Sequence, residues 1–165
     1  MALRNDRALI LLSSMSGVCW GMNGYLLGSD AALATQLVSS AAVVSRLFTS
    51  PVIYKKAVIA AMAAVLVVGI ASWEGLRSMP VIVATCLLLM GTGLSKEMRM
   101  RLLLALATTF YLLHAYIYDS FEQILACFLA YGSLAYGSWS LSNFKKKASE
   151  SRISSAEVSV PANVR

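Results

Sequence analysis

Long stretches without a charged residue divide the chain at nearly regular intervals. They cover residues 8–29, 31–45, 57–73, 78–95, 102–118 and 123–144. Most are about 17–22 residues long, which is the length an α-helix needs to cross roughly 30 Å of hydrocarbon. Because they are apolar on every side and do not alternate in polarity, helices are favoured over the strands of a membrane barrel.

The composition excludes most soluble folds. Hydrophobic residues make up 58% of the 165 residues and charged residues 13%, against about 25% charged residues in ordinary soluble domains. A compact domain of this size buries only about 70% of its chain surface, so a soluble fold would expose large apolar patches. We therefore predict an all-α, polytopic membrane bundle within residues 1–147. Its six transmembrane helices would cover about 8–27, 31–50, 57–73, 79–95, 101–118 and 122–144, and a disordered cytoplasmic tail would follow at 148–165.

The charged residues between these stretches predict the orientation of the chain. One side of the predicted membrane holds, near helix ends, Arg4, Arg7, Arg46, Lys55, Lys56, Lys96, Arg99, Arg101 and the three lysines at 145–147, whereas the other side holds only Arg77. Because cytoplasmic loops carry the excess of Lys and Arg, we expect both termini in the cytoplasm. The net charge of +6 therefore indicates a cytoplasmic membrane surface, and we expect no nucleic-acid partner.

The first and fifth stretches are alike. Trp20-Gly-Met-Asn23-Gly-Tyr25 can be aligned with Tyr111-Leu-Leu-His114-Ala-Tyr116, and each segment leads to a short acidic turn. Both helices would cross the membrane in the same direction. The pattern predicts a degenerate parallel repeat of three-helix units joined by the third stretch as a linker helix. In this scheme the first helix of the first unit is missing.

Polar residues inside two of these helices form the candidate site. His114 is the only histidine, and Asn23 lies at a similar depth. Such residues mark solute pathways or bridge helices. As equivalents in a repeat, they would face one central cavity with Trp20 and Tyr111 as flat apolar walls. The open alternative is helix packing, with a neutral His114 hydrogen-bonded to a neighbouring helix and the rings in an aromatic belt.

We expect structural roles for most of the other polar residues and for two prolines. Gln36 and Gln123 should form hydrogen bonds between helices. Arg46, near the cytoplasmic end of the second stretch, would extend to lipid headgroups, or it would act as a gate or contact an anionic ligand. Pro51 is expected to end the second helix, and Pro80 to begin the fourth.

Motifs for catalysis or cofactor binding are absent from the sequence. There is no G-x-x-x-x-G-K-[ST] loop for a nucleotide, no carboxylate pair inside the stretches, and no His or Cys pair with metal-site spacing. The three cysteines, Cys19, Cys86 and Cys127, are expected to behave as small apolar residues. We therefore expect no enzyme activity, no cofactor and no metal.

The chain resembles the bacterial inner-membrane proteins of the YgjV type over roughly residues 4–147. The resemblance is carried by Trp20, Asn23, Leu26-Leu27-Gly28, Arg46, residues 76–80, Met98-Arg99 and residues 111–114. It implies a multi-pass protein of the inner membrane. Members of this family carry one further N-terminal helix, which matches the gap in the repeat. The arrangement is also similar to the three-one-three helices of SWEET and PQ-loop transporters, a likeness of fold that names no substrate.

Two functional hypotheses follow. In the first, the chain transports a small solute by rocking two helix bundles about the site of Asn23, His114, Trp20 and Tyr111. In the second, it is a non-transporting scaffold or assembly partner held by helix packing. The lipid bilayer is a partner in both, and a chain that lacks one helix of a repeat could complete its contacts as a homo-oligomer. A water-accessible cavity shared by the polar residues would separate the hypotheses.

Overall fold

The computed structural model describes residues 2–94, 97–137 and 139, and these residues contain six α-helices and no strand. The helices are α1 (Ala2–Leu26), α2 (Asp30–Ser45), α3 (Pro51–Ala71), α4 (Met79–Leu94), α5 (Glu97–Ile117) and α6 (121–137). A short 3-10 helix, Gly75–Ser78, leads into α4. The predicted all-α class is confirmed. The predicted tail at 148–165 lies outside the described residues.

Consecutive helices run antiparallel and define two ends of the bundle. At the end called here the Glu74 end, α1, α3 and α5 finish while α2, α4 and α6 begin. At the opposite end, called the Arg46 end, α2 finishes and α3 begins. The apolar core lies between α2, α3 and α4, where Val58, Val65, Val81 and Leu89 are fully buried.

Three helical segments are long and apolar enough to cross a membrane. They are Pro51–Ala71, Gly75–Leu94 and Arg99–Ile117, and they correspond to the third, fourth and fifth predicted spans. By the same measures of length and composition, α1, α2 and the described part of α6 are not candidate membrane spans. α2 has 16 residues, or about 24 Å at 1.5 Å per residue. The 25 residues of α1 begin with charged positions and include several small and polar ones, and α6 is described over 121–137.

The boundary predicted for the second span is wrong. The span was expected to reach residue 50, but α2 ends at Ser45 and the next residues form a turn. Arg46 is the C-cap of the helix, and its backbone N–H donates to the carbonyls of Val43 and Val44. Hydropathy does not detect this turn because Leu47 and Phe48 are themselves apolar.

The expected role of Pro51 is also wrong, because this proline begins α3 and does not end α2. Ser50 is the N-cap, and its hydroxyl accepts the Ile53 N–H at 3.5 Å. A proline suits the first turn because that turn leaves its N–H unbonded. Lys55 consequently lies inside α3 and not in a loop. Pro80 lies in the first turn of α4, as predicted.

Small residues allow α1 and α2 to pack closely. Three glycines on one face of α1 leave no room for a side chain, since an added Cβ would lie 2.6 Å from Ser40 Oγ at Gly17, 2.9 Å from Gln36 Cβ at Gly21, and 2.5 Å from Ala32 Cβ at Gly24. Ser14 and Ser40 each donate a hydroxyl hydrogen bond to the other's backbone carbonyl, both at 3.1 Å. This contact joins the two helices into one hairpin.

Gly24→Ala should destabilise the fold, whereas Gly132→Ala should not. A Cβ at Gly24 meets Ala32, but a Cβ at Gly132 on α6 meets nothing within 4 Å. We expect Gly24→Ala to lower the free energy of unfolding by about 1–3 kcal/mol through overpacking. Unfolding in mixed micelles with increasing dodecyl sulfate measures both variants. Equal stability of the two variants would contradict the close packing.

Candidate functional site

Two turns at the Glu74 end have the same backbone hydrogen bonds. In the α1–α2 turn, the N–H groups of residues 27, 28 and 29 donate to the carbonyls of 23, 25 and 24. In the α5–α6 turn, the N–H groups of 118, 119 and 120 donate to the carbonyls of 114, 116 and 115. Each position in the second turn lies 91 residues after its counterpart, as His114 does after Asn23. Gly28 and Asp119, which correspond, both have positive φ, 92° and 51°.

Side chains cross between these two hairpins. The Asn23 amide donates to the Ser120 hydroxyl at 3.2 Å, and the His114 Nε2 lies 3.3 Å from the Ser29 hydroxyl. Ser29 and Ser120, which are also 91 residues apart, immediately precede α2 and α6, and both are buried. The polar helix residue of each hairpin therefore bonds to the serine of the other hairpin. We call these two hydrogen bonds, Asn23 to Ser120 and His114 to Ser29, the crossing.

His114 is fully enclosed at this crossing. It is 0% exposed, its ring packs on Tyr118 with 4.6 Å between centroids, and its Nδ1 lies 3.4 Å from Gln123 Oε1. Since an amide oxygen only accepts, Nδ1 donates to it, and in the neutral ring Nε2 accepts from the Ser29 hydroxyl. Both ring nitrogens are therefore used within the bundle.

Glu74 joins the connections above the crossing. Its Oε1 accepts the backbone N–H of Asp30 at 2.6 Å and of Ala31 at 3.4 Å, which places a carboxylate at the positive end of α2. Its Oε2 accepts the Tyr118 hydroxyl at 2.6 Å. One exposed side chain thus links the α3–α4 connection to the start of α2 and to the residue after α5.

A cavity of about 420 Å³ lies between α1, α2, α4, α5 and α6, and α3 contributes none of its described lining. Three pairs of lining residues are again 91 positions apart: Gly17 and Thr108, Trp20 and Tyr111, and Gln36 and Cys127. Ser13, Ser16 and Leu88 also line it. The Trp20 and Tyr111 rings are 6.4 Å apart between centroids and inclined by 58°. We call this space the central cavity.

A chain of hydrogen bonds holds Tyr111 at the central cavity, and the donor and acceptor of its bonds can be assigned. The Thr85 hydroxyl donates to the Val81 carbonyl at 2.8 Å, so Tyr111, 3.1 Å away, donates its hydrogen to Thr85. Tyr111 in turn accepts from the Gln36 amide at 2.8 Å. The Ser39 hydroxyl shares its one hydrogen between the Gln36 backbone carbonyl at 3.1 Å and the Gln36 amide oxygen at 3.2 Å. Four polar side chains on three helices are therefore mutually satisfied.

One further correspondence links the helix hairpins. The Ser40 hydroxyl donates to the carbonyl of Ser14 at 3.1 Å. At positions 91 residues later, the Tyr131 hydroxyl lies 3.4 Å from the carbonyl of Ala105. Its shorter contact, 2.6 Å, is to the hydroxyl of Thr109, which itself donates to the Ala105 carbonyl at 3.0 Å. The same pair of backbone and side-chain positions thus joins α1 to α2 and α5 to α6.

The structure separates the predicted site residues into four places. Trp20 and Tyr111 line the central cavity. Asn23 lies with Trp20 beside a smaller cavity of about 200 Å³. His114 lines neither cavity and lies at the crossing. Asn23 and His114 therefore do not share any of the described cavities, contrary to the site predicted from the sequence. Arg46 is at the opposite end of the bundle, with its guanidinium 5.9 Å from the centroid of the Tyr54 ring.

The expected interhelical bonds of Gln36 and Gln123 are confirmed, to Tyr111 and His114 respectively. Sequence reasoning did not single out Ser29, Ser120, Glu74 or Thr85 as parts of the site. A signal for the serines is present, because each immediately precedes a helix and they share the 91-residue spacing of Asn23 and His114. Glu74 bonds groups 43 and 44 residues away, and local sequence carries no sign of such partners.

Comparisons with known proteins give one match. The model of a family described as Imp-YgjV, bacterial inner membrane protein, matches residues 1–144. No curated protein and no solved structure matches the chain.

Glu74→Ala and Tyr118→Phe should each destabilise the protein, and their effects should not add. We expect each to cost about 1–2 kcal/mol, with a coupling of about 1 kcal/mol in a double-mutant cycle, because they remove two ends of one hydrogen bond. Asp119→Asn is the control, since it removes an exposed acid from the same end at a backbone conformation that Asn tolerates. Dodecyl sulfate titrations measure the four proteins of the cycle and the control, and strictly additive losses would contradict the bond.

Proposed function

We propose that this chain, which belongs to the Imp-YgjV family of bacterial inner membrane proteins, carries a small uncharged polar solute across that membrane. The solute would occupy the central cavity, and the chain would alternate between states open to one side or the other. The observation that carries the proposal is the central cavity itself, with its neutral polar lining, its two aromatic rings and the crossed hydrogen bonds between it and the Glu74 end.

The size and lining of the central cavity support a small-molecule ligand. Its volume of about 420 Å³ lies within the range of ligand pockets, about 300–1,000 Å³. Its lining residues in the described part of the chain offer hydroxyl, amide and aromatic groups but no Asp, Glu, Lys or Arg. A desolvated ion would find no opposite charge there, whereas an uncharged polar solute would find hydrogen-bond partners and flat apolar walls.

The paired positions support two bundles that move about this site. α1 and α2 form one bundle, α4, α5 and α6 form the other, and α3 is the linker that does not line the central cavity. Pairs of residues 91 positions apart occur in the turns, at the crossing and on the cavity wall, as a degenerate parallel repeat would produce. In this proposal the order of bundle, linker helix and bundle is similar to that of the three-one-three transporters, and rigid bundles would rock about a fixed site.

The proposal includes six membrane-spanning helices with both termini in the cytoplasm. α1, α2 and α6 fall short of the apolarity or described length of the other three helices because they supply polar and small residues to the central cavity and the packing around it. Arg46, Lys55, Lys56, Arg99 and Arg101 lie at the Arg46 end, against Arg77 at the Glu74 end. The excess of basic residues supports a cytoplasmic Arg46 end.

The crossed bonds would act as the gate at the periplasmic end. Asn23 bonds Ser120 and His114 bonds Ser29, so both join one bundle to the other. Opening at the Glu74 end requires both to break. From Trp20, the lining of the central cavity continues along α1 to Ser13, which is toward the Arg46 end. The described conformation is therefore assigned as the state closed to the periplasm.

Accessibility of Cys127 tests this gate. In a Cys19→Ser, Cys86→Ser variant, Cys127 is the remaining thiol and lines the central cavity. In oriented vesicles, we expect an impermeant methanethiosulfonate reagent to modify it from the cytoplasmic side. Adding Asn23→Leu and His114→Leu removes the two hydrogen bonds that join the bundles, about 1 kcal/mol each, and should raise modification from the periplasmic side about tenfold or more.

The control for this labelling is a variant that keeps Cys86 alone, because Cys86 lines neither the central cavity nor the smaller cavity beside Asn23. It should remain unmodified from both sides. If Cys127 is protected from both sides in every variant, the central cavity is sealed, and the scaffold hypothesis replaces transport.

Solute flux tests the transport itself. We expect proteoliposomes to swell faster than empty liposomes in isotonic solutions of one or more of urea, glycerol, xylitol and glucose, followed by stopped-flow light scattering. Trp20→Ala removes a wall of the central cavity and should change the rate about tenfold, the order of one aromatic contact. Trp73→Ala is the matched control, since Trp73 is exposed at the Glu74 end. Equal rates for wild type and empty liposomes with all four solutes would contradict the proposal.

A further inference from the structure

A separate cavity of about 290 Å³ opens at the Arg46 end, between the end of α2, the start of α3 and the end of α4. Arg46 and Lys55 line it, together with Tyr54, Thr49 and Thr92. No acidic residue is among its described lining. Two cations thus face one recess without a carboxylate to neutralise them there, which favours an anion.

The cationic donors of this recess are not paired with an acid in the described part of the chain. The hydroxyls of Thr49 and Thr92 donate to backbone carbonyls, both at 2.8 Å, so they can only accept further bonds. Arg46 lies over the face of the Tyr54 ring, a contact that positions the guanidinium and leaves its N–H groups available. Within the residues the structure describes, Arg46 and Lys55 have no ion pair, and the Tyr54 hydroxyl, which is not itself buried, makes no hydrogen bond.

Three apolar side chains beside the recess indicate where the anion comes from. Phe48 is 82% exposed, Val52 67% and Ile53 56%. All three are close in sequence to Arg46 and Lys55, on the turn and the first residues of α3. In a membrane, they would contact acyl chains directly below the layer of headgroups. A free anion has no apolar part that could pack against these side chains.

We propose that this recess binds the phosphate of an anionic phospholipid headgroup. Arg46 and Lys55 would bond the phosphate oxygens, the Tyr54 hydroxyl would supply a third donor, and the acyl chains would lie along Phe48, Val52 and Ile53. The chemistry that recognises the ligand is a phosphate with an attached apolar chain. The site is independent of solute transport, because it shares no lining residue with the central cavity.

Native mass spectrometry in detergent micelles tests the site. Purified full-length protein is mixed with phosphatidylglycerol, with phosphatidylcholine, or with glycerol phosphate as the free headgroup. We expect a bound phosphatidylglycerol at concentrations where the other two do not bind. Arg46→Gln and Lys55→Gln should each weaken this binding about fivefold, the effect of one basic residue at an anionic surface.

Lys56→Gln is the matched control, since Lys56 is the next residue of α3, is also exposed, and does not line the recess. It should bind phosphatidylglycerol as the wild type does. Arg46→Lys keeps the charge and shows whether loss in Arg46→Gln reflects misfolding, which the helical circular dichroism of each variant also reports. Equal weakening by Lys56→Gln, equal binding of phosphatidylcholine, or binding of glycerol phosphate as tight as that of the lipid would each overturn the proposal.

Discussion

Polar groups in a bundle without water must find partners inside it, and the architecture of this chain follows from that requirement. Among the described residues, no buried side-chain nitrogen or oxygen lacks a hydrogen-bond partner. The partners come from other helices at the places where the helices must be held: Asn23 with Ser120, His114 with Ser29 and Gln123, and Tyr111 with Gln36 and Thr85. Because an unpaired polar group in hydrocarbon costs several kcal/mol, these contacts determine which helices can be neighbours.

Close packing and hydrogen bonding are distributed unequally over the two hairpins. α1 and α2 approach through glycines, and Ser14 and Ser40 each donate a hydroxyl hydrogen bond to the other's backbone carbonyl. α5 and α6 use a longer side chain, that of Tyr131, at the corresponding contact. The Tyr131 hydroxyl lies 2.6 Å from the Thr109 hydroxyl and 3.4 Å from the Ala105 carbonyl. Corresponding positions are therefore filled by a small residue in one hairpin and by a large one in the other.

The sequence predicted the helical class and the approximate places of the helices, because charged residues are excluded from the stretches between helix ends. It also paired Asn23 with His114, since the aromatic residues around them align. It did not detect the turn after Ser45, because Leu47 and Phe48 continue the apolar pattern, and Pro51 was assigned to the wrong helix for the same reason. The partners at the crossing are 85 and 97 residues apart. Such pairings depend on how helices meet in space, and local periodicity does not contain them.

The crossing at the Glu74 end has a consequence for how the chain assembles. Asn23 has its partner in the α5–α6 hairpin, and His114 has one of its two partners in the α1–α2 hairpin. Each hairpin alone would lose one hydrogen bond at its polar helix residue and one at its buried serine, while His114 would keep its bond to Gln123. The two polar groups therefore provide reciprocal hydrogen bonds that make the association of the two halves specific. If the chain were divided within α3, each fragment would carry the donors and acceptors that the other needs. Reassociation in a membrane would then favour the opposite half over a second copy of the same half.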